Sequence, residues 1–503
     1  MDAEMQTDDP DLTIPRFFDR AVSLHGDRLF VISGDRELTY RQFRELELRT
    51  ASSLARRGVR SGSRVALLLG NTIEHLACWM GIVRLGAIAV SLNARLAIAE
   101  IRVRLVHVRP VLIVTESTMI PMLTGLAIPT IRATELLETE AGGATGTVRP
   151  GDVAAFISTS GSTGRPKAVM QAHRTYVLTG QSFPFWVGLL PSDRLLLVLP
   201  LHHINAQAYS LMGAIGVGAS LVLMPRFSAS GFWADMRQWN VTQFNAVGAM
   251  VSILLSQPSA PNEEDNPVRL CYLALALPED AHRAFEQRFS LRMTVGYGLS
   301  ESTFGTVWPR GQSPYGTIGR LRQHPTLGSI SSARVVDTGG NDAPPGVVGE
   351  LLLHSPAIMA GYFEDQAATD QVLRDGWLST GDLVRRDGAG VFTFVARKKE
   401  IIRHQGENIA PMEIENVLMR HPAVREVAAV GVPSSLGEED IRVAIVLESG
   451  CLVTEDDLRI WCEKSLAAFK IPAEFVFLEF LPRTDTHRVA KRLLSRPQPP
   501  GQG

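Results

Sequence analysis

Cysteine is scarce in this chain: 503 residues hold four, Cys78, Cys271, Cys451 and Cys462. They stand far apart and in no ligand spacing, so neither a zinc site nor a disulfide framework is indicated, and a reducing cytoplasm is the expected setting. An excess of charge of either sign is missing too. Fifty Lys and Arg against 52 Asp and Glu leave a formal net charge of −2, too weak a field to gather nucleic acid or an anionic membrane, so any anionic ligand must be held by local groups. The opening MDAEMQTDDPDLTIPRFFDRA is acidic and lacks a basic segment ahead of an apolar run, so no secretory signal is expected. Heptads and internal repeats are absent. Low complexity is confined to SRPQPPGQG, residues 495–503, expected to be a disordered tail.

One uncharged run, AQAYSLMGAIGVGASLVLM (206–224), is long enough to suggest a membrane span. Its glycines Gly213, Gly216 and Gly218, followed by the β-rich ASLVLM, predict instead a buried helix, a turn and a strand. No membrane span is expected.

What the chain does have is alternation. From residue 39, TYRQFRELELRTASSLARRG repeats apolar residues at helical spacing, RVALLLG is a buried-strand run, and EHLACWMGIVRLG is helical again. That order predicts parallel sheet with crossover helices. After the small-residue loop EAGGATGTVRPGD (140–152) a second series runs through VAAFIS, RLLLVLP and LRMTVGYG, each ending in polar or glycine residues. Ligands of such sheets sit beyond the carboxyl ends of the strands. Past residue 395 the pattern shortens to PMEIENVLMRH, REVAAVGV, RVAIVLES, EDDLRIWCEKSLAAF and EFVFLEFL, which predicts a small α+β domain. The expected division is residues 1–395, 396–494 and the tail.

Chemistry concentrates first in STSGSTGRPKAV (158–169), directly after a predicted strand. Its hydroxyls, the backbone N–H groups bared by Gly161 and Gly164, and the Lys167 ammonium make a cradle for phosphate oxygens. It is no Walker A loop, because the glycine-lysine-hydroxyl triplet is missing. The same run resembles the phosphate loop of the adenylate-forming superfamily of acyl-CoA synthetases, peptide-synthetase adenylation domains and luciferases, T-S-G-[ST]-T-G-x-P-K-G, differing only at Ala168. LPLHHINA (199–206), VGYGLSES (295–302), GWLSTGDL (376–383), ARKKEIIRHQGENIAPMEIE (396–415) and LPRTDTHRVAKR (481–492) follow in that family's order.

The resemblance implies a large N-terminal α/β adenylating domain of layered sheets and helices and a small mobile C-terminal α+β lid. It also implies roles. Thr159, Ser160, Gly161, Ser162, Thr163, Gly164 and Lys167 would hold the ATP phosphates, with Ala276 and Tyr297 against adenine and Ser300 on phosphate. Glu301 would hold Mg²⁺, a hard cation that takes one or two carboxylates beside substrate phosphates. Asp382 would accept the ribose hydroxyls with Arg397 nearby, and Lys399 would be the hinge on which the lid turns between half reactions. His203 matches the family histidine beside the acyl pocket, His202 replaces a usual aromatic, and Asn205, Gly298 and Leu299 would line the same pocket.

Two departures from the family pattern stand out. His487 and Arg488 occupy the Gly-Lys of the closing motif, where the family lysine bridges the substrate carboxylate and the α-phosphate. Arg488 would keep the charge but replace a compact ammonium with a planar fork. In CYLALALPED, Leu273, Ala274, Leu275 and Ala276 replace the family's small-residue G-G-A-P. The leucines are expected to fill the pocket floor and shorten it.

The expected reaction is attack of a small acid on MgATP to give an acyl adenylate and pyrophosphate, then transfer to coenzyme A. A rival reading passes a small activated oxyanion such as nitrite to an aromatic amine. A third, non-enzymatic reading is a silent ATP-binding partner protein, opposed by the presence of Lys167, Glu301 and Asp382.

Overall fold

The computed structural model describes residues 9–138, 140–159, 167–404, 407–434, 439–484 and 489–495. The chain divides into two units, Met1–Ala333 with Leu353–Leu378, and Arg334–Leu352 with Ser379–Gly503. The texture change at residue 396 thus falls inside the second unit. A packing boundary and a turning point are different properties, and the hinge expected at Lys399 concerns the latter.

Two large sheets build the first unit. One carries, in spatial order, Arg320–Leu321, Thr306–Val307, Arg292–Tyr297, Leu270–Ala274, Gln243–Val247, Arg194–Leu197, Ser220–Leu223, Leu29–Ser33 and Arg36–Thr39. The other runs Gly361–Tyr362, Lys167–Ala172, Val153–Thr159, Ile88–Ser91, Arg64–Leu68, Leu112–Thr115 and Thr130–Arg132. Their central strands pair in parallel, as helical crossovers require.

Alternate residues of each strand supply different cores. Leu270 and Tyr272 belong to the core shared with Val65, Leu67 and Val114 of the other sheet and with the helices Ile14–His25, Ile73–Arg84 and His173–Val187. Cys271 and Leu273 face the opposite way, into a second core with Phe244, Phe285, Val295 and Trp308. A sheet covered on both faces reads as continuous apolar runs, which is the pattern of RLLL and SLVL.

The helix Tyr40–Arg56 starts on a capping box, Thr39 accepting from the Gln42 amide while Gln42 reaches back. It meets Ile73–Arg84 through buried charge: Arg84 donates to Glu47 at 2.7 Å and to Asp19 at 2.7 Å. The run 206–224 folds as expected into buried helix, turn and strand, with one difference in winding: Asn205–Leu211 is a π-helix, continued by the α-helix Met212–Val217, the left-handed Gly218 and the strand Ser220–Leu223. Among the described residues no helix is long and apolar enough to cross a membrane.

In the second unit the Ser379–Arg386 stretch of the strand Trp377–Arg386 pairs antiparallel with Phe392–Arg397, setting Asp382 opposite Arg397. Beyond it Val424–Pro433, Glu439–Leu447 and Glu474–Phe477 form a sheet. The helices Pro411–Leu418 and Glu455–Glu463 share its core through Ile414, Leu418, Leu458 and Cys462.

Candidate active site

Ser160, Gly161, Ser162, Thr163, Gly164 and Arg488 lie outside the described residues. The two ends of the glycine loop are described. Thr159 closes the strand Val153–Thr159 and pairs with Lys167, which opens the antiparallel strand Lys167–Ala172. Lys167 Nζ stands 4.3 Å from the centre of the Tyr362 ring, a cation over an aromatic face. Tyr362 is held there as part of the edge strand Gly361–Tyr362, opposite Val169.

The Tyr362 hydroxyl donates to Glu301 Oε1 at 2.9 Å. Burial first, and then the Glu301 carboxylate, raise this phenol well above its ordinary range, so it remains a donor at neutral pH. Glu301 is fixed from its backbone too, its carbonyl accepting from the Met359 amide at 2.8 Å. Gln171, on the Lys167 strand, donates to the Ser300 carbonyl. Leu299 and Ser302 exchange backbone hydrogen bonds at 2.8 and 3.2 Å, so Ser300 and Glu301 project from a tight loop. Lys167, Ser300 and Glu301, read from separate motifs, are therefore tied to one another through Tyr362 and Gln171. Neither of those linking residues was singled out by the sequence, and the short GY pair carries no signal of its own.

A carboxylate with one oxygen taken by Tyr362 keeps the other for a hard cation, and a lysine beside it suits phosphate, so the donor set fits MgATP. Among the described residues no cluster of three or more His, Cys, Asp and Glu forms a metal cage. Magnesium does not need one, since it takes few protein ligands and completes its shell with phosphate and water.

Tyr297 ends the strand Arg292–Tyr297 and pairs with Thr306. Gly298 follows, and a Cβ there would lie 2.6 Å from Tyr209 Oη, so glycine is required for the chain to pass that hydroxyl. Leu275 adopts φ +70°, a left-handed conformation costly for a bulky residue, while its amide donates to the Gly296 carbonyl at 3.1 Å. Ala276 continues from that turn, partly buried.

His202 and His203 are partly buried, with ring centres 4.2 Å apart. The segment before them is anchored by Asn71, which accepts from the Leu201 amide at 2.9 Å and donates to the Leu199 carbonyl at 3.1 Å. Asn205 begins the π-helix and accepts from Asn245 at 2.8 Å, and Asn245 also donates to Ser210 Oγ at 3.1 Å. π-Helical turns are frequent at functional sites.

The expected floor of the pocket needs correction. Leu273 is fully buried in the second core, on the face of its strand away from Tyr272. The side chains beside Gly296 and Gly298 are instead Tyr272 and Tyr209. Two aromatic rings, and not Leu273, fill that space.

In the second unit Asp382 is 1% exposed. Arg397 Nε lies 3.4 Å from the Asp382 carboxylate, and the Asp382 amide donates to Thr380 Oγ1 at 3.1 Å. Thr380 donates to the Leu351 carbonyl at 2.7 Å, and Glu350 takes the Gly381 amide at 3.2 Å and Lys398 Nζ at 2.7 Å. These bonds orient a buried carboxylate able to accept two hydroxyls. Lys399 sits exposed in the short 3₁₀ turn Lys398–Glu400.

Comparison with known proteins identifies the family. The family described as AMP-binding enzyme matches residues 18–363, and its C-terminal domain matches residues 413–488. A crotonobetaine/carnitine–CoA ligase of Escherichia coli is 31% identical over 474 residues, 88% of this chain and 90% of that protein. Among solved structures, an anthranilate CoA ligase in complex with anthranoyl-AMP superposes with a TM-score of 0.89 at 24% identity, over 96% of this chain and 97% of the other. O-succinylbenzoate coenzyme A synthetase of Bacillus subtilis, in complex with ATP and magnesium, gives a TM-score of 0.86 at 27% identity, over 95% and 99%.

Proposed function

The chain belongs to the AMP-binding family of adenylate-forming enzymes, and from that premise we propose that it is an AMP-forming ligase that activates a small acid on ATP and passes it to coenzyme A. The observation that carries the proposal is the assembly of Tyr362 and Glu301 around Lys167, the described residue that follows the glycine loop. Lys167 holds phosphate charge, while Glu301, aimed by Tyr362, holds the magnesium ion. That ion supplies charge neutralisation on the phosphates.

Asp382, already oriented by Thr380 and Arg397, takes the ribose hydroxyls. Tyr297 presents a flat face to adenine. His203 and Asn205 flank the incoming carboxylate, and Arg488 meets the charge that builds as carboxylate and α-phosphate join. An acid's oxyanion is already a nucleophile, so these residues act by positioning and charge stabilisation. Tyr209 and Tyr272 keep the acyl space short.

The test is release of AMP and pyrophosphate across short aliphatic, aromatic and long-chain acids, with and without coenzyme A. CoA-dependent turnover of a short or single-ring acid is expected. Best turnover with a long fatty acid would refute the short pocket. Nitrite-dependent AMP release that requires an aromatic amine and ignores coenzyme A would refute the acceptor.

A further inference from the structure

Arg322 is 1% exposed, and the charged or polar side chains that act on it among the described residues are Tyr209 and Tyr272, not a carboxylate. Nε donates to the Thr306 carbonyl at 3.1 Å, and Nη1 donates to Tyr209 Oη at 2.7 Å and to the Thr303 carbonyl. Nη2 donates to Tyr272 Oη. The rings of Trp186, Tyr209 and Tyr272 surround the guanidinium, with centres 4.6, 5.0 and 6.0 Å away. Burial pulls its proton affinity down, but the tyrosine oxygens more than offset that, so the cation persists.

Donors here outnumber acceptors. A guanidinium has five N–H groups, two of them on Nη2, and Nη2 has one acceptor among the described residues. Tyr209 passes its own proton to the Thr303 carbonyl at 3.0 Å. Tyr272 accepts from Arg322, and its O–H proton meets no acceptor among the described residues. Burial raises this phenol far above its usual range, so that proton stays on. A buried charge without a counter-charge, beside two donors short of an acceptor, is costly unless something anionic approaches.

The cluster adjoins the proposed acyl site. A Cβ on Gly296 would lie 2.2 Å from Tyr272 Oη, and one on Gly298 would lie 3.6 Å from Arg322 Nη1. Tyr209 belongs to the π-helix that starts at Asn205. Resting on the ligase reading above, we propose that Arg322 and Tyr272 form the far end of the acyl pocket and select acids carrying an anionic oxygen remote from the reacting carboxylate. A short dicarboxylic acid is the substrate class that fits. An acid with a cationic tail, such as carnitine, would face the uncompensated guanidinium and be rejected, which would separate this enzyme from the ligase it resembles.

The experiment compares kcat/KM for AMP release with succinate, glutarate and adipate against butanoate, pentanoate and hexanoate, and with γ-trimethylammoniobutyrate. The best dicarboxylate is expected to exceed its matched monocarboxylate by about tenfold or more, because a site built to bind an oxygen penalises the analogue lacking it. The trimethylammonium acid should give no turnover above background. Tyr272→Phe and Arg322→Met should reduce the dicarboxylate preference, chiefly through KM. Should Arg322→Met fail to fold, Tyr272→Phe alone decides, since it removes one oxygen from a ring that otherwise packs unchanged. Equal or better use of the monocarboxylates, or a preference untouched by Tyr272→Phe, overturns the subsite and leaves the ligase reading standing. Absence of AMP release with every acid overturns the ligase reading, and the subsite with it.

Discussion

Tyr362 holds Glu301: its hydroxyl donates to Oε1 at 2.9 Å while its ring lies under the Lys167 ammonium. One side chain therefore fixes both charged groups expected to meet the phosphates and their metal. Tyr362→Phe keeps the ring and removes the bond. A hydrogen bond to a charged group contributes about 1.5–3 kcal/mol, so the magnesium concentration for half-maximal adenylation should rise by about tenfold or more, with the ATP dependence changing less. A magnesium titration of AMP release in both proteins checks this.

Arg488→Ala should slow formation of the acyl adenylate by roughly a hundredfold, since loss of one preorganised donor costs on the order of 3 kcal/mol. Arg488→Lys should recover only part of that, because a compact ammonium reaches differently from a planar fork. Single-turnover measurements isolate the step. A change within about threefold for the alanine variant would refute the role.

Lys399→Pro should separate the two half reactions. Proline fixes φ and removes a backbone donor, and Lys399 sits in a single exposed 3₁₀ turn where such a change does little to the core. One half reaction should survive and the other fall. Equal loss of both, with unchanged thermal unfolding, would argue against a hinge.

Two buried histidines predict acid sensitivity. Burial depresses His75 and His173 from an ordinary 6.5 to about 4. His75 is bonded to the Gly70 carbonyl at 2.9 Å and to Ser91 Oγ at 3.1 Å, whereas neither ring nitrogen of His173 has a partner among the described residues. Between pH 6.5 and 4 the unfolded chain binds protons that the folded chain refuses, so stability is full above pH 6.5 and declines as pH falls. Each site can remove up to about 3 kcal/mol across that window. Urea midpoints measured from pH 7.5 down to 4.5 should fall, and His173→Leu should flatten the slope by one proton.

The architecture was legible because it depends on period and order. Alternating helical and strand runs gave the parallel sheets, and in 206–224 Gly218 gave the break, while Gly213 and Gly216 stay inside the helix. The direction of side chains was less so. The strand Leu270–Ala274 is buried on both faces, so its pattern lacks the alternation that would have shown Leu273 pointing one way and Tyr272 the other. Lys167 and Glu301 were legible from motifs, whereas Tyr362 and Arg322 reach their partners only through sheet topology and loop packing across long separations. A sequence states neighbours along the chain, and these residues act on neighbours in space.

The π-helix Asn205–Leu211 has an evolutionary consequence. Its Met212 amide reaches back to the Gln207 carbonyl, five residues earlier, where an α-helix would reach back four. Deleting a single residue in this segment would let it rewind as an ordinary α-helix. Asn205, Tyr209 and Ser210, which now meet Asn245 and Arg322, would then turn away from those partners together. One codon lost or gained would thus re-line this side of the proposed acyl pocket in a single step, a short path from one substrate to another if the pocket lies there.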